Sequence, residues 1–208
     1  MVLIENTEEG YGAAAITLHW IMAVLLIALI AMGVYMVRLP DVGFDTLKIR
    51  LILYHKTLGM LTLALAALRL AWRVSNVLPR LVETLPDWQK VLARFVHLSF
   101  YALMFALPIT GWLMSSAGGF RISLLDLLYL PAFIGRDDYL FQVFVAVHKW
   151  LGYTLVALIT VHACAALRHH FLVKDDTLRK MLPTASPRAR VRLLGGKQTR
   201  PAPPAPSL

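Results

Sequence analysis

The chain contains one cysteine, Cys164, among 208 residues. A single thiol excludes an intrachain disulfide, a thiolate cluster for zinc or iron–sulfur, and a Cys-x-x-Cys-His site for covalent porphyrin attachment. Charge is also scarce: 16% of residues are charged against 58% hydrophobic, a balance too apolar for an ordinary soluble domain. No phosphate-binding loop, nucleophile triad or metal-water motif is present, so hydrolytic and phosphoryl-transfer chemistry have no support. Proline is sparse until the end, where residues from 183 onward hold six of the eleven.

Four apolar runs fill the space that these absences leave. They extend roughly over Ile16 to Val37, Leu51 to Trp72, Phe95 to Met114 and Leu140 to Phe171. Each has the length of about 20 residues that a helix needs to cross the hydrocarbon core. Membrane strands would alternate apolar and polar positions over about ten residues, whereas these runs are continuous, so an all-α membrane protein with a bundle of four transmembrane helices is expected. The first run follows Glu5, Glu8 and Glu9 and not a basic segment, and is read as a retained helix instead of a cleaved signal peptide.

Four crossings put the N-terminus, the loop from about Arg73 to Arg94 and the C-terminal tail on one side. That side holds fourteen of the 21 Lys and Arg residues, from Arg69 and Arg73 through Arg168 to Arg200, leaving seven opposite. The positive-inside rule makes it cytoplasmic, in a cell membrane. The formal charge of +9 is absorbed by this topology and by anionic lipid, so nucleic-acid binding is not inferred. The expected organisation is a cytoplasmic N-terminus over residues 1–13, a bundle over 14–182, and a basic, Pro-rich, disordered tail over 183–208.

Histidines within the runs point to chemistry. His19 lies early in the first helix, near the cytoplasmic face, and His55 lies early in the second, near the opposite face. The fourth helix enters from the outer side and meets His148 first, then His162 fourteen residues on, about 21 Å deeper and within about 40° around the helix. His55 is thus level with His148, and His19 with His162. Imidazoles from opposite sides suit a six-coordinate haem iron, since they ligate without adding charge to the membrane interior. Two such levels suggest a membrane electron carrier with two haems. His97 lies near the cytoplasmic level as well, making three candidates for two places, and depth alone does not choose among them.

His169 and His170 follow two turns beyond His162, where a quinone headgroup would need hydrogen-bond and proton donors. Tyr54-His55-Lys56-Thr57-Leu58-Gly59 and Val147-His148-Lys149-Trp150-Leu151-Gly152 share His-Lys-x-Leu-Gly. Gly59 and Gly152, one turn beyond each histidine, would let a flat macrocycle approach the helix backbone. Arg69 and Arg73, one turn apart at the cytoplasmic end of the second helix, are candidates for pairing with haem propionates. Pro108 and Gly111 are expected to kink or loosen the third helix. The segments from 115 to 139 and after Pro183 carry no motif that can be placed.

These residues carry a resemblance. Leu18-His19-Trp20, the two His-Lys-x-Leu-Gly segments, Ala106-Leu107-Pro108-Ile109-Thr110-Gly111, His162-Ala163, and Ala165-Ala166-Leu167-Arg168-His169-His170-Phe171 look like the bacterial cytochrome b561 family over about residues 13 to 183. The resemblance implies four membrane helices, two b-type haems and ubiquinone as an exchangeable redox partner. It also implies oxidoreductase activity, since some members oxidise superoxide on the periplasmic face and pass the electron to ubiquinone. It makes His19 with His162 one axial pair and His55 with His148 the other, and moves His97, with His169, to the cytoplasmic quinone site as proton-donor candidates. A second reading is a membrane-anchor subunit that relays electrons from a hydrogenase, dehydrogenase or soluble cytochrome partner.

Overall fold

The computed structural model describes residues 4–8, 10–40, 46–79, 86–124 and 128–182. The tail from 183, together with Arg80, Asp41, Asp45 and Asp126, lies outside the described residues. Four long helices dominate: α1 (Ala13–Arg38), α2 (Thr46–Ser75), α3 (Asp87–Ala117) and α4 (Asp138–Arg168). All four are long and apolar enough to cross a membrane. Even the shortest, with 26 residues, extends about 39 Å, beyond a hydrocarbon core of about 30 Å. The helices overrun the apolar runs because their polar end turns lie in the headgroup region. α3, for example, starts at Asp87 behind Pro86, eight residues before the apolar run begins.

Side-chain hydrogen bonds fix several ends. Asp137 caps α4 by accepting from the Leu140 N–H at 3.0 Å, satisfying a donor with no intrahelical partner. Before α1, residues 4–8 and 10–12 are tied to the start of α1 and to the segment after α2. The Gly12 N–H donates to Asn6 Oδ1 at 2.9 Å, and Asn6 Nδ2 donates to the Val77 carbonyl at 3.1 Å. A side chain at Gly12 would run into the Ile4 and Glu5 carbonyls, so glycine is required by close backbone approach. Pro108 lies inside α3, whose helical assignment continues unbroken to Ala117.

α1 packs on α2, α2 on α3 and α3 on α4, whereas α4 makes no comparable close packing with α1 or α2. The buried core joins Met22, Leu26, Ala66, Leu103, Met104 and Leu155. Leu155 lies midway between His148 and His162 along α4, so the core separates the two histidine levels. Large apolar side chains such as Val24, Ile27, Leu68 and Val161 point outward, as lipid-facing positions do.

The 115–139 segment, which the sequence left unplaced, contains a small antiparallel hairpin of β1 (Ile122–Leu124) and β2 (Leu128–Leu130), paired Ile122 to Leu130 and Leu124 to Leu128. Its strands are three residues each, too short for a visible alternation, and tertiary contacts hold it. Thr57 Oγ1 donates to the Ser123 carbonyl at 3.2 Å, and Trp112 Nε1 donates to the Pro131 carbonyl at 3.0 Å. The hairpin therefore covers the end of the bundle that holds His55 and His148, called the outer end below. The end that holds His19 and His162 is the inner end.

Candidate functional site

The outer histidines, His55 on α2 and His148 on α4, face one another. The ring centroids of His55 and His148 lie 6.3 Å apart with planes at 74°. His148 Nδ1 lies 3.1 Å from Thr110 Oγ1, and that hydroxyl donates its own proton to the Leu107 carbonyl at 2.9 Å. With its proton committed to the carbonyl, the hydroxyl accepts from the ring, so Nδ1 carries the ring proton and Nε2 keeps its lone pair. His55 Nδ1 is buried with no hydrogen-bond partner among the described residues. Beside it, Lys56 Nζ donates to Ser115 Oγ at 2.8 Å and lies 5.3 Å from the centre of the Phe120 ring.

The inner end gathers more groups. His19 and His162 ring centroids also lie 6.3 Å apart, and His97 lies 5.8 Å from His162. Arg69 Nη2 donates to His19 Nδ1 at 3.1 Å, and the Arg73 guanidinium sits 5.8 Å from the centre of the Tyr101 ring. Tyr11 reaches the same two arginines. Burial pushes its phenol up, and Arg73 and Arg69 oppose that without cancelling it. Trp72 Nε1 and His170 Nδ1 are buried at this end with no hydrogen-bond partner among the described residues. His169 Nδ1 contacts Asp175 Oδ2 at 2.6 Å.

Some of these residues were not legible as site residues. A Cβ at Gly33 would lie 3.4 Å from His55 Cε1, and one at Gly111 would lie 3.4 Å from His148 Cε1. These glycines, not Gly59 and Gly152, pack directly behind the outer rings. A Cβ at Gly59 or Gly152 would meet nothing within 4 Å, which leaves open space one turn beyond each outer histidine. A spacing signal existed: Gly33 follows His19 by fourteen (33 − 19), and Gly111 follows His97 by fourteen (111 − 97), the same step that separates His148 from His162. Thr110, Tyr11 and Asp175 were missed too, because their roles depend on contacts between separate segments.

Paired histidines at two levels of a four-helix membrane bundle define a class of membrane cytochrome. Residues 10–184 match the profile of prokaryotic cytochrome b561. The chain is 34% identical over 181 residues to cytochrome b561 homolog 2 of Escherichia coli K12, spanning 87% of this chain and 95% of that protein. It is 30% identical to cytochrome b561 homolog 1 of the same organism, over 83% of this chain and 97% of that one. It is 29% identical to the probable superoxide oxidase CybB of Yersinia pestis, over 85% and 97%. The chain belongs to the prokaryotic cytochrome b561 family, and is a haem-binding, multi-pass membrane protein of electron transport.

The residues fit haem b. A metal–imidazole bond is about 2 Å and the ring centre lies roughly 1 Å behind the nitrogen, so two rings on one iron have centroids about 6 Å apart. Both His19 with His162 and His55 with His148 meet that spacing at 6.3 Å, and His97 with His162 comes as near at 5.8 Å, so at the inner end the spacing suits His19 and His97 alike. The open space at Gly59 and Gly152 and the fixed Nδ1 proton of His148 agree with it.

Proposed function

We propose that the protein carries single electrons through two haems b, from a donor at the outer, periplasmic face to ubiquinone at the inner, cytoplasmic face. The observation that carries this reading is the pair of histidine couples, each with 6.3 Å between ring centroids, separated along α4 by fourteen residues, or about 21 Å. His55 and His148 would hold the outer haem, and His19 and His162 the inner one. The porphyrin irons supply the one-electron chemistry; the chain supplies ligation, orientation and polarity.

Around the outer pair, Thr110, itself held by the Leu107 carbonyl, orients His148, while Gly33 and Gly111 let the two rings pack against α1 and α3. Around the inner pair, a His19 ring that ligates through Nε2 keeps its proton on Nδ1. Arg69 then donates elsewhere, and with Arg73 it is suited to propionate carboxylates. Trp72 Nε1 and His170 Nδ1, buried with no partner among the described residues, are hydrogen-bonding atoms of the kind a quinone carbonyl needs. An orphaned buried polar atom costs about 1–3 kcal/mol unless a ligand or water meets it. His97 and His169 are the proton-donor candidates at this end.

The Yersinia relative's name supports superoxide as the outer donor. Lys56 and Lys149 beside the outer histidines provide positive charge that would steer a small anion. The excess of basic residues on the tail side supports a cytoplasmic inner end. Stopped-flow mixing of the oxidised holoprotein with superoxide is expected to reduce haem, with reoxidation on adding ubiquinone. Inertness toward superoxide combined with rapid reduction by a hydrogenase, dehydrogenase or soluble cytochrome would replace this reading with that of a membrane-anchor subunit.

A further inference from the structure

At the inner end an imidazole is backed by a carboxylate through a specific chain reversal. α4 ends at Arg168, and His169–Val173 continue as a wider π turn. Lys174 then takes a left-handed conformation, with φ 58° and ψ 38°, unusual for a residue with a side chain. The chain folds back on itself. The Asp175 N–H donates to the His169 carbonyl at 3.2 Å, and Asp175 Oδ2 receives His169 Nδ1 at 2.6 Å. The second oxygen, Oδ1, accepts from the Thr177 N–H at 2.9 Å. Both side chains are largely buried, at 14% and 10% exposure. A further bond, from Trp20 Nε1 to the Met181 carbonyl at 2.7 Å, ties this segment to α1 one residue from His19.

The chemistry of this pair is directional. A carboxylate only accepts, so Nδ1 holds its proton and Nε2 becomes the atom that exchanges one. Burial pushes the Asp175 carboxyl up, but hydrogen bonds from Thr177 and His169 outweigh it and hold it below the usual carboxylate range. Asp175 therefore stays ionised and compensates a positive ring. His97 lacks such support: its charged neighbours are Arg73 and Arg69, and among the described residues no carboxylate bonds it.

We propose that Asp175 is the positioning residue of a His169–Asp175 proton relay, which supplies the protons consumed when quinone is reduced at the inner end. The relay rests on the quinone reading above. Each quinone takes two electrons, delivered singly from the outer donor, and two protons. For each proton, the Nε2–H bond of His169 breaks and an O–H bond forms on a quinone oxygen. The ring then regains a proton from cytoplasmic water while Asp175 holds its orientation.

The test uses the haem-loaded, full-length protein in liposomes with a short-chain ubiquinone as probe. Asp175→Asn keeps an oxygen acceptor and removes the charge, and Asp175→Glu restores the charge. The Asn variant is expected to lower kcat for quinone reduction by at least about tenfold, since general-acid catalysis is worth that or more. Its KM and haem spectrum are expected to stay unchanged and its solvent deuterium isotope effect to rise. The Glu variant is expected to recover most of the rate. A wild-type kcat and isotope effect in Asp175→Asn, with quinone still reduced, would overturn the relay and leave the quinone reading standing. A wild-type protein whose haems are reduced but never pass electrons to quinone overturns both. Should the Asn variant fail to load haem, the wild type decides alone: a solvent isotope effect of unity on quinone reduction overturns the relay, and one above unity upholds it.

Discussion

Two glycines far apart in sequence, Gly33 on α1 and Gly111 on α3, are expected to control the same haem. A Cβ at Gly111 would lie 3.4 Å from His148 Cε1 and 3.6 Å from Nδ1, and one at Gly33 would lie 3.4 Å from His55 Cε1. Alanine at either site makes a tight but ordinary contact and is expected to be nearly neutral. Leucine adds three more carbons where the ring stands, and overpacking of this kind costs about 1–3 kcal/mol. The histidine plane must give way. At about 1.4 kcal/mol per factor of ten, haem affinity at the outer site falls by roughly fivefold to 150-fold. The assay is haem titration of the apoprotein, followed by reduced-minus-oxidised spectra that resolve the two centres. Gly33→Leu and Gly111→Leu are expected to deplete one and the same spectral component, the one also lost in His55→Ala. Retention of both components at wild-type affinity would refute the packing argument, and loss of different components would refute the assignment of these glycines to one site.

Thr110→Val removes the hydroxyl at His148 Nδ1 and is expected to speed outer-haem dissociation roughly tenfold, as loss of partners behind metal ligands does; haem transfer to apomyoglobin measures it. Asp137→Ala removes the α4 cap and is expected to cost about 1 kcal/mol, read as a lower thermal midpoint in detergent. The depressed Asp175 carboxyl binds fewer protons folded than unfolded, so its contribution to anchoring residues 169–182 is complete above its ordinary value of 3.8 and is lost as pH falls through its lower folded value. Limited proteolysis with pepsin across acid pH is expected to show this release, and Asp175→Asn is expected to abolish its pH dependence. Lys174→Gly is expected to keep the His169–Asp175 contact, because glycine accepts the left-handed backbone freely; Lys174→Val is expected to break it, because a β-branched side chain does not.

The bundle was readable from the sequence because a membrane imposes its own periodicity. Runs such as Ile16 to Val37 have to be apolar on every face, and that pattern needs no knowledge of neighbours. The histidine levels were readable for a similar reason: the rise of a helix converts sequence separation into depth, so His19, His55, His148 and His162 receive heights directly. Which residue stands behind a ring is a different matter. Gly33 and Gly111 meet His55 and His148 only after α1, α2, α3 and α4 have packed, and the His-Lys-x-Leu-Gly echo drew attention to Gly59 and Gly152 instead. Asp175 was hidden by a π turn and a left-handed lysine, which bring a residue six positions away onto the His169 ring. The outer hairpin was hidden because its two strands of three residues are held by Thr57 and other side chains of the bundle, with little pattern of their own. Helix ends such as Asp87 extended past the apolar runs, since polar end turns have no hydrophobic signature.

The account depends on two imidazole couples that hold two irons at separate depths. The most direct measurement is the haem-to-protein ratio of the purified protein, taken with low-temperature spectra of His55→Ala, His148→Ala, His19→Ala and His162→Ala. The account predicts two haems b per chain, with the first two variants losing one spectral component and the last two losing the other. A single haem per chain at saturation, or a His55→Ala spectrum that matches His162→Ala, would contradict it.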